Sequence, residues 1–377
     1  MLISYSKQKI YNEDIKAVLD VIKKKKLTQG EITPVFENNL KKKVRAKYCA
    51  VVNSCTSALF LAYISLGLKK DDIVWTSPIT FIASINPAIH LGAKVDFVDI
   101  NEFDFNLDVN KLEKKLKNTK KKFLPKIITV VNFAGFSSDL KRIKNLSKKY
   151  KFKIIEDSCH SLGAEYLNSK VGSCNYSDIN VFSFHAIKNI TSGEGGALTC
   201  KSKKIFNMIN LLRNHGIKKN SQKNYFFSYK SIIPGFNFRM TEFQAALGNS
   251  QLRKLDNFIK KRRKIAEYYK KNLNPDFVSI QDSKKSKSSY HLFVIRLRTT
   301  KLIKNRKKIF EYMKKRNILL GYHYIPVYKH LNFKKLYLDV TEQYHKDALT
   351  LPMHLNLNYF DCKKIITNLN EAIKKYC

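Results

Sequence analysis

The 377-residue chain carries 71 lysine and arginine residues against 30 aspartate and glutamate residues, a formal net charge of +41. Its hydrophobic content of 44% and charged content of 27% are typical of a globular protein and argue against intrinsic disorder. The sequence contains no run of about 18 apolar residues, so no transmembrane helix is predicted. The first residues also lack the apolar core of a secretory signal. We therefore expect a protein with no membrane partner.

The seven cysteines are scattered, odd in number and without a CxxC spacing. This distribution argues against a zinc site and against a disulfide framework. It is typical of proteins in a reducing compartment, so we expect a cytoplasmic protein without a structural metal.

The excess of positive charge has two interpretations. A basic surface attracts phosphates, which would suit a nucleic-acid-binding protein. The lysines, however, occur in short runs along the whole chain, such as residues 23–26 and 120–122, and form no recognisable binding module. A solvated, lysine-rich surface is the favoured interpretation, and no nucleic-acid partner is expected.

The first part of the chain alternates short apolar strands with helices. Two helices come first, at residues 12–26, where Ile15, Val18, Leu19 and Ile22 have helical spacing, and at 34–43. Such an alternation predicts an α/β domain with a mostly parallel sheet and helices on both faces. The predicted strands are 49–53, 73–75, 94–98, 126–131 and 153–156, and the helices between them are 58–68, 80–91, 107–116 and 139–150.

The pattern changes in the second part of the chain. A helix at 203–214 and an aperiodic, lysine-rich stretch at 218–230, which we interpret as a mobile loop, precede one long helix at 241–271. Beyond Pro275 the patterns predict a smaller α+β domain, and we divide the chain into residues 1–250 and 251–377. The predicted elements of the smaller domain are a strand at 290–297, a helix at 304–314, a short strand at 321–325 and a helix at 360–374.

Polar stretches follow several of the predicted parallel strands, at 54–57, 76–80, 132–135 and 156–160. Ligands of such sheets bind beyond the carboxyl ends of the strands, so these stretches should lie on one rim. The first one opens a helix with hydroxyls and free backbone N–H groups, which suits an anion. An ordinary helix N-cap explains it equally well.

Residues 180–199 contain one lysine, Lys188, in a window whose other formal charge is Glu194. Uncharged surroundings lower the pKa of a lysine and make its neutral, nucleophilic amine accessible, as a Schiff-base lysine requires. The glycines at 193, 195 and 196 let the backbone approach a flat group. The alternative is a buried strand that ends in a glycine turn, with the lysine reaching solvent.

Asp157 follows a predicted strand and precedes His160 by three residues. A carboxylate at a strand end can hold a protonated ring nitrogen, which a pyridinium electron sink requires. A helix-capping aspartate beside a solvated histidine is the alternative. The placement of Lys188 on the same predicted rim favours the first interpretation.

Several motifs occur in the order of a known family: NSCTSAL, SPITFIAS, EDSCHSLGAEY, FSFHAIKNITSGEGGAL, RNHGI and GFNFRMTEFQAALGNSQLRKLD. In this order, over residues 5–354, the chain resembles the sugar-nucleotide aminotransferases of the DegT/DnrJ/StrS type. These are fold-type-I enzymes that use pyridoxal 5'-phosphate (PLP). The resemblance implies that fold, that cofactor and a transaminase activity.

The resemblance also implies residue roles. Lys188 would bond to PLP and act as the catalytic base, Asp157 would pair with the pyridine nitrogen, and His160 would lie by the phenolic oxygen. The other residues implied to hold PLP are Phe81, stacked on the ring, and Cys55, Thr56, Ser57, Ser183 and Asn237 around the phosphate. Because Asn237 would come from a partner subunit, a homodimer with shared active sites is implied. The residues implied to border the nucleotide-sugar are Tyr5, Lys25, Lys26, Leu27, Thr28, Cys55, Ser183, Asn237, His323, Tyr324, Ile325 and Pro326.

The substrates implied by the resemblance are a UDP-linked 4-keto-6-deoxy sugar and an amino-acid donor, glutamate. Within the family, the chain is most similar to the branch that acts in the pseudaminic-acid pathway. Asn189, which follows the lysine, is more similar to aminoarabinose-type enzymes, so another keto-sugar nucleotide is the alternative substrate. A basic nucleic-acid-binding protein with an inactive enzyme fold is the alternative from a different class.

Overall fold

The computed structural model describes residues 2–24, 26–219, 229–330, 333 and 336–377. The α-helices of these residues are α1 (Asn12–Lys24), α2 (Ile32–Val44), α3 (Cys55–Ser65), α4 (Asn86–His90), α5 (Val109–Asn118), α6 (Leu140–Tyr150), α7 (Lys203–Leu212), α8 (Glu242–Arg253), α9 (Leu255–Asn272), α10 (Thr300–Lys304), α11 (Arg306–Lys315), α12 (Asp339–Asp347) and α13 (Tyr359–Tyr376). The strands are β1 (Tyr48–Val52), β2 (Ile73–Thr76), β3 (Lys94–Phe97), β4 (Ile127–Val131), β5 (Lys153–Asp157), β6 (Glu165–Tyr166), β7 (Ser169–Lys170), β8 (Ile179–Ser183), β9 (Gly196–Cys200), β10 (Ile217–Lys219), β11 (Tyr229–Ser231), β12 (Val278–Ile280), β13 (Ser286–Lys287), β14 (Phe293–Leu297) and β15 (Ala348–Leu351).

The central sheet of the described residues has the strand order β1-β9-β8-β5-β4-β2-β3. The pairings from β8 through β5, β4 and β2 to β3 are parallel, whereas β9 runs antiparallel to β1 and to β8. Strands β4, β8 and β9 are buried at every position, and β4 has the nearly continuous apolar sequence that is typical of a strand buried on both faces. The predicted α/β fold with a mostly parallel sheet is confirmed.

Helices cover both faces of this sheet because successive strand residues point to opposite sides. Ala50 and Val52 of β1 pack in a cluster with α3 and α7. Cys49 and Val51 pack in another cluster with α2, α8 and the first turns of α9. The sheet is therefore buried on both sides, and its ends are the accessible places for a ligand.

A second hydrophobic core is formed mainly by residues 265–373. In the described part of the chain, β12, β14 and β15 form an antiparallel sheet that packs with α10, α11 and α13. Helix α9 contributes to both cores, with Leu255 and Phe258 in the first and Ala266 and Tyr269 in the second. The division into residues 1–250 and 251–377 stays a prediction.

Two helix predictions were wrong. Residues 80–91 form a short 3-10 helix, Ile82–Ser84, followed by the five-residue α4, because Pro87 has no N–H to continue a helix from residue 80. The long helix at 241–271 is two helices. Lys254, with φ −96° and ψ −3°, ends α8, and its ammonium binds Asp14 of α1 at 2.7 Å.

Other predictions for the second part of the chain also need correction. The predicted helix at 304–314 corresponds to α11, and the short helix α10, which was not predicted, precedes it. The predicted strand at 321–325 is reduced to one isolated bridge between Gly321 and Thr350. The strand that pairs with the outer edge of β14 is instead β15. All four residues of β15 are buried, so its sequence lacks the alternation of apolar and polar residues that predicts a strand. Most of the stretch 218–230, interpreted as a mobile loop, lies outside the described residues, and its ends pair as β10 and β11.

Helix α1 has an unexpected orientation. Its predicted apolar stripe faces solvent, with Ile15 51%, Leu19 44% and Ile22 56% exposed, whereas Asp14 and Val21 are buried. Asp14 is held by Ser250, Gln251 and Lys254. No helix of the described residues combines the length and the apolar character needed to cross a membrane.

Candidate active site

A cavity of about 460 Å³ lies at the carboxyl ends of β1, β2, β4, β5 and β8. The side chains predicted on separate stretches meet there, because parallel strands end at the same edge of the sheet. The predicted site residues that line it are Tyr5, Cys55, Thr56, Phe81, Asp157, His160, Ser183, Lys188, His323 and Tyr324.

Lys188 is half-buried in the loop between β8 and β9. No hydrogen bond or ion pair to its ammonium group occurs among the described residues, and its backbone N–H bonds to His185 at 3.0 Å. Burial lowers the pKa of Lys188, although the nearby Cys159, Cys55 and Asp157 oppose the shift. A lysine in this setting has its neutral amine within reach of a ligand in the cavity.

Asp157 ends β5 and is 4% exposed. The Ser84 hydroxyl donates to Oδ2 at 2.7 Å, and the Cys159 N–H donates to Oδ1 at 3.2 Å. No ion pair to this carboxylate occurs among the described residues. A fixed carboxylate that faces a cavity without a cationic partner is suited to pair with a protonated nitrogen of a ligand.

His160 has a defined tautomer. The Ala134 N–H donates to Nδ1 at 3.2 Å, so the neutral ring carries its proton on Nε2. Burial, with the charges of Lys188 and His323, holds the pKa of His160 well below its ordinary value, so the ring stays neutral. Nε2 lies 3.3 Å from the Tyr324 hydroxyl, at the cavity, and is a donor.

Helix α3 points its N-terminus at the cavity. Ser54 is the N-cap, and its hydroxyl accepts from the Ser57 N–H at 3.1 Å. Gly196 lies against this turn, since a Cβ there would be 2.5 Å from the Ser54 carbonyl oxygen and 2.7 Å from the Cys55 nitrogen. Free N–H groups at the start of α3, with the hydroxyl of Thr56, form a cradle for an anion.

Aromatic side chains form another part of the cavity wall. The ring of His323 lies 5.3 Å from that of Tyr5 and 5.0 Å from that of Tyr324, and Phe81 lies 6.2 Å from Tyr324. Phe81 is 61% exposed, so its face is free to stack on a ligand. Nδ1 of His323 pairs with Thr350 at 3.0 Å, and burial lowers the pKa of His323 to about 4.

The remaining predicted contact residues do not line this cavity: Lys26, Leu27, Thr28, Ser57, Asn237, Ile325 and Pro326. Lys25 lies outside the described residues. The Ser57 hydroxyl turns to Asn53 at 2.7 Å because it closes the first turn of α3. Asn237 pairs with Asn214 away from the cavity, and Pro326 precedes a turn in which the Val327 N–H bonds to Pro78.

Leu27 and Thr28 also lie elsewhere, beside the start of α8. The Leu27 carbonyl accepts from the Glu242 N–H at 2.8 Å, and Thr28 forms a bridge with Thr241. Both contacts are made with Thr241 and Glu242, which follow Asn237 by four and five positions in the chain.

Other cavity residues were given no individual role from the sequence, although Ser54, Thr80 and Cys159 lie in stretches predicted on the rim. These residues are Ser54, Leu59, Thr80, Ala83, Ser84, Val131, Cys159, His185, Ile187 and Glu194. Of these, Ser84 and Cys159 matter most, since both bind Asp157. Ser84 lies in the SPITFIAS motif, but the prediction of a helix through it hid its direction. The contact of Cys159 depends on a turn that no local pattern specifies.

These residues fit PLP. The cavity combines an accessible lysine, a carboxylate without a cationic partner, an Nε2–H donor, an exposed aromatic face and a helix N-terminus, which match the aldehyde, pyridine nitrogen, phenolic oxygen, ring and phosphate. A family model of DegT/DnrJ/EryC1/StrS aminotransferases matches residues 8–370. The chain belongs to this aminotransferase family. The resemblance seen in the sequence is thereby confirmed, and PLP is the cofactor of this aminotransferase.

Relatives of this aminotransferase match over its full length. It is 38% identical over 386 residues to UDP-4-amino-4,6-dideoxy-N-acetyl-beta-L-altrosamine transaminase of Campylobacter jejuni strain 81-176, covering 100% of both chains. It is 36% identical to the Helicobacter pylori enzyme of the same name, over 99% of this chain and 98% of that one.

Solved structures of the family have the same fold. Helicobacter pylori PseC, an aminotransferase involved in the biosynthesis of pseudoaminic acid, superimposes with a TM-score of 0.93 at 34% identity over 100% of both chains. Spr1654 from Streptococcus pneumoniae in its PLP-form gives a TM-score of 0.91 at 26% identity over 100% of both chains. The predicted fold class is confirmed by these structures.

Proposed function

We propose that this aminotransferase moves an amino group from glutamate to C4 of a UDP-linked 4-keto-6-deoxy-N-acetylhexosamine. The product is UDP-4-amino-4,6-dideoxy-N-acetyl-beta-L-altrosamine, in the pseudaminic-acid pathway. Full-length similarity to the Campylobacter and Helicobacter transaminases of that name supports this substrate.

The observation that carries the proposal is the shared cavity of Lys188 and Asp157. Both side chains are withdrawn from bulk solvent, and neither has an ion-pair partner among the described residues. Because burial lowers the pKa of Lys188, its amine is available as a base. The buried carboxylate of Asp157 remains available for a positive ligand atom.

The chain's residues would divide the work of the reaction. PLP, when bound, supplies an electron sink for the charge left when the α-carbon of the donor loses a proton. Asp157, oriented by Ser84, would hold the proton on the pyridine nitrogen, and His160 would donate its Nε2–H to the phenolic oxygen. Nζ of Lys188 would take the proton from the α-carbon and later return a proton to the acceptor.

The phosphate would lie at the N-terminus of α3, with Cys55, Thr56 and Ser183 beside it. Tyr5, His323 and Tyr324 would border the nucleotide-sugar. His323 has its Nδ1 on Thr350, so its ring presents a fixed edge to the cavity. The aromatic wall would exclude water from the side of the ring on which the proton moves.

We also propose a homodimer with shared sites. The apolar stripe of α1, with Ile15, Leu19 and Ile22 exposed, is a surface that a second copy would cover. Leu27 and Thr28 contact Glu242 and Thr241, which follow Asn237 closely in the chain, and we infer that these segments meet the partner together. If these segments meet the cavity of the partner, their residues would reach its phosphate and nucleotide.

A cytoplasmic location agrees with this proposal, because UDP-sugars and glutamate are cytoplasmic metabolites. The seven cysteines are free thiols in the structure, as a reducing compartment favours. Fractionation of cells that express the protein tests the location.

The substrate is tested by mass spectrometry of products formed from glutamate and a panel of UDP-, dTDP- and GDP-linked 4-keto sugars. We expect amination of the UDP-linked 4-keto-6-deoxy-N-acetylhexosamine in preference to the others. Preferred amination of a UDP-keto-arabinose or a GDP-linked sugar would reject this substrate and leave the transaminase assignment in place.

A further inference from the structure

The sulfur atoms of Cys55 and Cys159 lie 2.9 Å apart in the wall of the cavity. Both are free cysteines, and both are half-buried rather than enclosed in a core. A disulfide bond measures about 2.0 Å, so the two sulfurs would need to approach by only about 0.9 Å. Although they are 104 positions apart in the chain, the fold holds them almost in bonding position.

The surroundings of the two thiols differ. Its hydrogen bond to Cys55, then burial and the charge of Asp157, raise the pKa of the Cys159 thiol well above its ordinary value. Cys159 therefore keeps its proton, and the two sulfurs are joined by a hydrogen bond. Cys55 is the first residue of α3, at a helix N-terminus. We therefore assign Cys55, at the helix N-terminus, as the attacking cysteine and Cys159, which keeps its proton, as the resolving cysteine.

We propose that Cys55 and Cys159 form an oxidation site in the wall of the cofactor cavity, at which a peroxide makes a disulfide that impedes the entry of PLP. The sulfur of Cys55 attacks one peroxide oxygen, the O–O bond breaks, and a sulfenic acid and water result. The sulfur of Cys159 then attacks that of Cys55, the S–O bond breaks, and hydroxide leaves with the Cys159 proton as water. Two thiols lose two electrons, and hydrogen peroxide is reduced to two waters.

The position of this bond explains its effect on the cavity. Cys55 opens the helix whose N-terminus forms the anion cradle, and the Cys159 N–H holds Oδ1 of Asp157 at 3.2 Å. A disulfide would tether these two parts of the site and shift both. Since Lys188 lines the same cavity, bound PLP should in turn cover the sulfurs and protect them.

The test uses the full-length protein, cofactor-free and PLP-loaded, treated with one equivalent of hydrogen peroxide. Maleimide labelling after denaturation counts thiols, and peptide mass spectrometry identifies the linked pair. We expect the cofactor-free protein to lose two of its seven thiols as a Cys55–Cys159 disulfide, about tenfold faster than the loaded protein because PLP limits access. A dithiol reductant should restore both thiols. No disulfide, or one between other cysteines, would overturn the proposal.

The effect on the cavity is read from PLP fixed by borohydride on the peptide that contains residue 188, which excludes PLP on surface lysines. Oxidation should reduce this label about tenfold in the wild type, but should change it little in Cys55→Ser and in Cys159→Ser. Cys377→Ser is the matched control, because Cys377 is also half-buried but does not line the cavity. This variant should respond like the wild type. Equal labelling of oxidised and reduced wild type would contradict the proposed effect of the disulfide on PLP entry. This test does not depend on the identity of the sugar substrate.

Discussion

Ser84 donates a 2.7 Å hydrogen bond to Oδ2 of Asp157, so the carboxylate of the candidate site is oriented by a residue 73 positions earlier in the chain. The Cys159 N–H holds the other oxygen. Both bonds come from neutral donors, so the charge of the carboxylate remains available to a ligand. Asp157 is therefore positioned without being neutralised.

Replacing Ser84 by alanine removes the side-chain donor to Oδ2. A hydrogen bond to a charged group contributes roughly 1.5–3 kcal/mol, so kcat/KM of Ser84→Ala should fall about tenfold to a hundredfold. PLP affinity, measured by absorbance titration, should weaken in parallel. Ser65→Ala is the matched control, since the buried Ser65 hydroxyl has no hydrogen-bond partner among the described residues, and its kinetics should be unchanged. Equal kinetics for both variants would contradict the role of Ser84.

Glu242 stabilises the fold by capping another helix. Its carboxylate accepts from the N–H of Ile32 at 2.6 Å and of Thr33 at 3.3 Å, and from the Thr33 hydroxyl at 2.5 Å. Glu242→Gln turns an acceptor-only group into one that also presents an NH₂, so the free energy of unfolding should fall by about 2 kcal/mol. Urea denaturation measures the loss. Glu13→Gln is the control, because its side chain is 76% exposed, and a change within about 0.5 kcal/mol is expected.

Folding stability should decrease in mild acid partly through His323. Burial lowers the pKa of this side chain to about 4, below the ordinary value of about 6.5 that it has when unfolded. Between these values the unfolded chain binds a proton that the folded chain does not, so stability rises with pH. The contribution is fully present above about pH 6.5 and is lost as the pH falls towards 4.

The variant His323→Gln should therefore have a shallower dependence of unfolding free energy on pH between about 4 and 6.5. Urea denaturation at a series of pH values measures this slope for the wild type and the variant. Identical slopes would show that His323 binds protons equally in both states.

A shared active site makes a prediction about mixed subunits. In a dimer of one Lys188→Ala and one Asn237→Ala subunit, one site carries both changes and the other carries neither. Random mixing of two inactive variants should thus restore about a quarter of wild-type activity, as expected for a two-fold dimer. Size-exclusion chromatography checks that the dimers form. No recovery in mixtures that contain heterodimers would show that Asn237 does not act across the interface.

The sequence was sufficient to predict strands β1 to β5 of the central sheet and part of the candidate site, but not strands β8 and β9. Asp157, Thr56 and Ser183 lie on the cavity because parallel strands end together. Patterns of local periodicity could not predict where Ser84 points, because Pro87 shortens the helix expected there.

Long-range packing explains the remaining differences. The apolar stripe of α1 faces solvent because the buried side of that helix is built around Asp14 and its partners on α8. The sequence places Cys55 and Cys159 on the same rim, but it does not predict that their sulfur atoms meet. Contacts of this kind depend on how elements meet rather than on the residues within one element.

The role of Lys188 is tested most directly by borohydride reduction of the PLP-loaded protein, followed by peptide mass spectrometry. The wild type should be yellow, lose its colour on reduction and carry the cofactor on the peptide that contains Lys188. Lys188→Ala should lack the visible absorbance band, carry no cofactor on that peptide and show no turnover. A colourless wild type that takes up no PLP, or a cofactor fixed elsewhere while Lys188→Ala keeps its activity, would contradict the assignment of Lys188 as the catalytic residue.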